Sequence, residues 1–280
     1  MPSVTTVGVG ARRPKREDLR PVIAMDRFVL RPDVDADRFS ELKRLFKKTI
    51  VNPPEMVSMS PWGLLASGSQ GPAGSPSFNF WRLKNSNEIR LGMESLQEFP
   101  FFHEMIDCLA TEQQGLLAPL PYCPPLPSAE QAARRAPDLY PDGYRYVLET
   151  FRPNGSVFRN GAKLIRLGYW LKQCLQSQFH WHLVLAGVRV TGQPGAFVHL
   201  WAVPPDPQNT PQLQLDPIRH QLGSFRRKHQ PEPGKAARHT EQRYRDLVDC
   251  MAERELVLLK PTPWDFDEPA QAAAQNSKGR

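Results

Sequence analysis

No run of about 18 consecutive apolar residues occurs in the 280-residue chain, so nothing in it reads as a membrane-spanning helix. The first twenty residues also lack the apolar stretch of a secretory signal. Cysteine is scarce: Cys108, Cys123, Cys174 and Cys250 lie far apart and form no Cys-x-x-Cys pair, which argues against a disulfide framework or a thiolate metal knuckle. A reducing compartment suits this usage, and a cytoplasmic protein is expected. Gly-x-Gly-x-x-Gly, Walker, Gly-x-Ser-x-Gly and His-Glu-x-x-His patterns are all missing, so nucleotide cofactors, serine hydrolysis and a zinc centre are not expected.

What is present is enough to fold. Hydrophobic residues make up 40% of the chain, sufficient for a real core, and the 29 prolines punctuate element ends rather than forming repeats. The net charge is +7. Much of the excess sits at Arg12, Arg13, Lys15 and Arg16 and between Arg219 and Arg238, with no RNP-like aromatic motif, helix-turn-helix or finger spacing beside it. Neither a nucleic-acid nor a membrane partner is expected.

Self-similarity decides the architecture. Arg31-Pro32, Trp62 and Phe80-Trp81 recur as Arg152-Pro153, Trp181 and Leu200-Trp201, about 120 residues on. Asp107-Cys108-Leu109-Ala110 recurs as Asp249-Cys250-Met251-Ala252, and the Leu116-Leu117 to Pro121 stretch as Leu258-Leu259 to Pro263, both 142 residues on. The wider spacing implies an insertion of about 22 residues in the second copy, between Ala202 and Arg245.

Each copy reads in one order. A first strand (22 to 31; 144 to 152) ends at Arg-Pro, and a helix follows (35 to 50; 156 to 177) with apolar residues at helical spacing. Two strands joined by a Gly- and Pro-bearing turn come next (62 to 68 with 77 to 83; 179 to 190 with 196 to 203). A second helix (94 to 112; about 238 to 254) leads into a last strand ending Leu-Leu-x-Pro-x-Pro. The order β-α-β-β-α-β is the ferredoxin-like unit. The fold class is therefore α+β, with two tandem ferredoxin-like units packed sheet to sheet. The expected organisation is a basic leader (1–20), a first unit (21–123), a linker (124–142), a second unit (143–265) with its insertion at about 204–237, and a tail (266–280).

The stretch Tyr146-Val147-Leu148-Glu149-Thr150-Phe151-Arg152-Pro153-Asn154-Gly155 and the hairpin end Phe197-Val198-His199-Leu200-Trp201 resemble the opening strand and the His-Leu-Trp strand of the NIPSNAP branch of the dimeric α/β barrel superfamily. The first copy departs from that pattern, with Met25-Asp26-Arg27-Phe28 and Asn79-Phe80-Trp81 in the matching places. The resemblance implies a barrel-like body. It also implies a superfamily holding cofactor-free monooxygenases, cyclases, isomerases and decarboxylases alongside haem-binding peroxidases and lyases, between which fold does not choose.

The polar cluster that stands out is Phe179-His180-Trp181-His182 with His199 on the paired strand. Alternation puts His180 and His182 on one face and Trp181 on the other. His199 joins them if the turn pairs Val190 with Phe197, and a slip of one residue moves it beside Trp181. His180, His182 and His199 are therefore the candidate acid-base residues. No carboxylate set completes a metal signature, so no metal is expected.

Trp81 and Trp201 occupy matching positions, as do Trp62 and Trp181, and core packing is their first role. Trp201, Trp81 and Trp181 could also line an aromatic ligand pocket, with Glu149 as a further contact unless alternation simply turns it to solvent. Asp26 and Arg27 are charges on a first strand, costly if buried unless paired or used. Cys108 and Cys250 read as small apolar residues on helix faces, and Tyr169 and Trp170 as packing. The function that follows is an enzyme without an organic cofactor, acting by proton transfer on an aromatic or conjugated small molecule as an isomerase, cyclase or lyase. A haem enzyme with a histidine axial ligand and a non-catalytic binding protein are the alternatives. The partner expected is a small organic molecule, and the chain is compatible with a homodimer.

Overall fold

A computed structural model of the chain describes residues 22–46, 49, 62–71, 74–83, 96–127, 144–154, 157–191, 194–205, 242–243, 246–247 and 249–262. The leader, most of the linker and insertion, and the tail expected from sequence lie outside these residues. Eight strands are described: β1 (Val22–Leu30), β2 (Trp62–Ser69), β3 (Ser77–Leu83), β4 (Leu109–Pro119), β5 (Arg145–Pro153), β6 (His182–Arg189), β7 (Phe197–Val203) and β8 (Met251–Pro261). The helices are α1 (Ala36–Phe46), α2 (Pro100–Asp107) and α3 (Val157–Phe179). Further helical residues lie at 242–243, 246–247 and 249, ahead of β8.

The strands close into a barrel in the order β1-β3-β2-β8-β5-β7-β6-β4, with every pairing antiparallel. Read by half, each unit has the ferredoxin-like order in which its fourth strand flanks its first, then its third and its second. The halves meet at two seams. β2 joins β8 through Gly68↔Pro261 and Ser69↔Lys260, and β4 joins β6 through Leu117↔Arg189, Ala118↔Val188 and Pro119↔Gly187. Within a half the pairing is longer, as in the seven partners of β5 with β7.

Period-two alternation divides every strand between two cores. Ile23, Met25, Phe80, Leu117, Tyr146, Leu148, Leu185, Leu200 and Leu259 turn into the barrel. The outer faces are covered by helices, Ala24, Leu64, Trp81 and Leu83 beneath α1 and α2, and Val147, Phe151, Leu183 and Trp201 beneath α3. Helix α1 forms because Asp35 accepts from the Asp37 N–H at its start and Phe39, Leu42 and Phe46 recur at helical spacing. Burying each of those side chains contributes roughly 1.5–3 kcal/mol. Both hairpins turn on a glycine with positive φ, Gly74 at 87° and Gly195 at 84°, where a side chain would be strained.

Two expectations are corrected. The second helix of the first unit ends at Asp107, and Leu109 already belongs to β4. Cys108 is thus the C-cap, half-buried, and not a residue on a helix face; its carbonyl accepts from the Arg31 N–H, as that of Cys250 does from Asn154. Likewise β8 begins at Met251, inside the expected helix 238 to 254. The second correction concerns the histidines. The hairpin pairs Val188 with Phe197, a register whose parity would bring His182 to the face of His199, but a bulge between Leu183 and Leu185 reverses the alternation. His182 therefore opposes Ala202 on the barrel side, while His199 opposes Ala186 on the helix side. His180 precedes the strand, exposed, with φ of 56°. The three imidazoles do not share a face.

Candidate active site

Acidic groups occupy matching register positions on the two outer faces. On one, Asp26 opposes Asn79 and Ala24 opposes Trp81; on the other, Glu149 opposes His199 and Val147 opposes Trp201. In both halves the indole reaches the carboxyl. Trp81 Nε1 donates to Asp26 Oδ2 at 2.6 Å, and Trp201 Nε1 to Glu149 Oε2 at 3.3 Å. The fourth strands differ: β4 carries Glu112 two residues before Gln114, the partner of Asp26, and β8 carries Arg254 two residues before Leu256, the partner of Glu149.

That exchange of sign, together with His199 in the place of Asn79, sets the two carboxyls apart. Burial pushes the Asp26 carboxyl up to about 7, with the negative Glu112 adding to it against the bond from Trp81. Burial acts in the same sense on Glu149, but the hydrogen bond from His199 and the charge of Arg254 hold its carboxyl down to about 2. Glu149 is 2% exposed, so alternation does not turn it to solvent. His199 Nδ1 donates to Glu149 Oε2 at 2.8 Å, and Arg254 Nε donates to Oε1 at 2.8 Å. Tyr122, whose hydroxyl burial keeps protonated, donates to His199 Nε2 at 2.7 Å.

The space beside this second cluster is full. Tyr122 fills it, pressed so closely on α3 that a Cβ at Gly168 would come within 2.4 Å of its ring. Trp181 and Trp201 lie there as packed core, their ring centroids 6.5 Å apart.

In the first half the matching space is open. A pocket with a cavity volume of about 60 Å³, open to solvent at its mouth, lies between the sheet and the two helices. Asp26, Asn79, Trp81, Glu112 and Gln114 form its floor, and Phe39, Lys43 and Phe46 of α1 with Phe102, Met105 and Ile106 of α2 form its roof. Trp81 packs on Phe46 at 5.7 Å between centroids. The amide of Asn79 is oriented by Ser67, whose hydroxyl donates to Oδ1 at 2.8 Å, so its NH₂ is the end that remains for an incoming group. Lys43 is half-buried with its Nζ 5.7 Å from the Phe39 centroid, and burial lowers its pKa. Outside the pocket, Arg38 on α1 grips Glu104 on α2 through two bonds of 2.6 Å and holds the roof together.

Of the residues singled out from sequence, Trp81 lines this pocket. Trp201, Glu149 and His199 meet in the closed cluster of the other half with Trp181 packed beside them, and His180 and His182 join neither place. Asn79, Glu112 and Lys43 were not singled out. Asp26 was, as a charge on an apolar strand, but its neighbours come from strands far along the chain. The haem alternative needs an imidazole nitrogen facing a space wide enough for a macrocycle. His199 has both ring nitrogens engaged and is sealed under Tyr122, and His180 lies on the surface, so neither of these two fits that role, and His182, half-buried on the barrel side, is the one of the three that remains for it. Among the described residues no group of three or more His, Cys, Asp or Glu side chains could hold a metal ion.

A closed antiparallel barrel made of two ferredoxin-like halves, each with its own helices outside, is a dimeric α/β barrel, here supplied by one chain. The same fold is seen in a candidate monooxygenase from Lactobacillus acidophilus NCFM, at a TM-score of 0.52 and 9% identity over 87% of this chain and 95% of that one. A candidate monooxygenase from Fusobacterium nucleatum (TM-score 0.49, 10% identity, 86% and 92%) and the chlorite dismutase of Candidatus Nitrospira defluvii (0.45, 8%, 88% and 92%) also match. The likeness is one of fold. No family model matches the chain, and no curated protein matches it in sequence. The resemblance to NIPSNAP proteins thus rests on residues 146–155 and 197–201 alone.

Proposed function

We propose that the chain is an enzyme that moves a proton on a small aromatic or conjugated molecule held between Trp81 and the helices of the first half, an isomerase, cyclase or lyase by reaction type. One observation carries the reading: a carboxyl poised to titrate near pH 7 stands in an aromatic-walled pocket beside an oriented amide donor. Asp26 takes the proton from a carbon next to a carbonyl. The electron pair moves onto the carbonyl oxygen, and the Asn79 NH₂ group donates to the charge that develops there. The protonated Asp26 then returns the proton at a second position. Trp81 orients the carboxyl through its N–H, and its ring face, with Phe39 and Phe46, excludes water from the substrate plane.

The sequence-derived catalytic set of three histidines is replaced in this reading by Asp26 and Asn79. His199 serves instead in a buried network with Glu149, Tyr122 and Arg254. A panel of enolisable aryl ketones and phenols in D₂O, followed by NMR, tests the proposal. The wild-type protein should exchange at least one compound at a rate that rises with pH up to about 7, and Asp26→Asn should slow it by about a hundredfold or more. Exchange unaffected by Asp26→Asn would sink the mechanism. Quenching of tryptophan fluorescence by panel members without any exchange would leave a binding protein in its place.

A further inference from the structure

The barrel interior carries a second, separate group of polar residues that the proton-transfer reading does not use. On the inner faces, Met25 and Arg27 of β1 oppose Gly115 and Gln113 of β4, and Leu117 of β4 opposes Arg189 of β6. The Arg189 side chain reaches from β6 to β1, where its Nη2 meets the sulfur of Met25 at 3.9 Å. That thioether is its one side-chain hydrogen-bond partner among the described residues, and its Nε is buried with none. Arg27, two residues from Met25 on the same face, has only the Gln113 Oε1 among the described residues, at 3.5 Å. Burial lowers the Arg189 pKa; the Glu255 charge opposes this, and the weaker effect of the Arg27 charge adds to it.

Two guanidiniums thus stand at one end of the barrel with ten N–H donors between them, and among the described residues only the Met25 sulfur and the Gln113 Oε1 lie within hydrogen-bond distance, the Glu255 carboxylate acting from further off. Buried cations ordinarily find carboxylates or carbonyls, because an unpaired one is costly. Gly115 adds no side chain to this part of the inner face, and a Cβ there would meet nothing closer than the Thr191 carbonyl at 3.9 Å. Arg27 and Arg189 are each half-buried and Gln113 is exposed, so the site communicates with solvent.

We propose that Arg27 and Arg189 form an anion-binding site at this end of the barrel, which takes the carboxylate or phosphate group of a small molecule in the fork of both guanidiniums. Such groups accept paired N–H donors in one plane, which suits arginine better than lysine. The site lies on the opposite face of the sheet from Asp26, so its ligand is distinct from the molecule held under α1 and α2.

Thermal unfolding and Arg Nε–H NMR in low-salt buffer test this, with inorganic phosphate and benzoate as probes and chloride of equal ionic strength as control. Phosphate, benzoate or both should raise the melting temperature saturably and shift the Arg189 Nε–H signal, and the arm that responds identifies the headgroup. Arg189→Met and Arg27→Met should each weaken the apparent affinity by about tenfold or more while leaving the ligand-free melting temperature unchanged or higher, because each removes an unpaired cation. Asp26→Asn should keep the full response. A wild-type response no larger than that to chloride, or one retained in the double arginine variant, would overturn the site. So would single variants that melt well below the wild type, since they would show the arginines to be structural.

Discussion

Asp26 and Glu149 stand at matching places on two half-sheets, each bonded by an indole, and their pKa values shift in opposite directions, Asp26 up through burial with Glu112 adding to it and Glu149 down through His199 and Arg254. Glu112 facing Asp26 is therefore the natural control point. Glu112→Gln removes a negative neighbour and should lower the Asp26 pKa from about 7 by roughly half a unit, read from its carboxyl ¹³C titration. An unchanged or higher value would mean that Glu112 does not act on it. Arg254 is the counterpart for Glu149. Arg254→Ala leaves a buried carboxylate with one fewer partner and should cost about 3 kcal/mol in urea unfolding at neutral pH. Because the Glu149 pKa is depressed in the folded state, its stabilisation is present above the ordinary carboxylate value of 4.5 and is lost as pH falls toward about 2. The variant's deficit should accordingly narrow over that window, and a deficit constant with pH would point to lost packing instead.

At the scale of elements, the order of strands and helices was legible because alternation and helical spacing survive wherever one face is dry. Met25, Phe80, Leu148 and Leu200 mark the barrel side, and Ala24, Trp81, Val147 and Trp201 the helix side. The start of β4 was hidden for a physical reason: Thr111, Glu112, Gln113 and Gln114 face either the pocket floor or the arginine end of the barrel, so both faces are polar and no alternation shows. The bulge at Leu183 and Leu185 has no signal in composition, yet it alone separates His182 from His199. Asp26 could be flagged as a charge in an apolar strand, but its pKa depends on Glu112, whose position beside it exists only after β1 and β4 pair. The closing of the second pocket was equally invisible, since it depends on Tyr122 meeting a glycine on α3. Gly168→Ala would drive a methyl to 2.4 Å from that ring and should destabilise the chain by about 1–3 kcal/mol, measurable by denaturant unfolding. A neutral substitution there would mean that Tyr122 can move aside.

Across the whole molecule, the barrel is two well-knit sheets joined at two short edges, the shorter being β2 with β8. Native-state hydrogen exchange should find the amides of Ser69 and Thr262, beside that edge, far less protected than those of β5 and β7 within one half. Equal protection would make the barrel a single cooperative ring. The edges are not all that unites the halves, however. The chain leaving β4 runs through Leu120 to Cys123 into the other unit, where the backbone of Tyr122 accepts from Lys172 and that of Pro121 from Tyr169. A fragment cut at the linker and beginning with β5 would be born with a phenol-sized hole beneath its long helix and an imidazole nitrogen bereft of its donor. The second unit borrows a keystone from the first, and it cannot be shuffled or expressed as an independent module without repair.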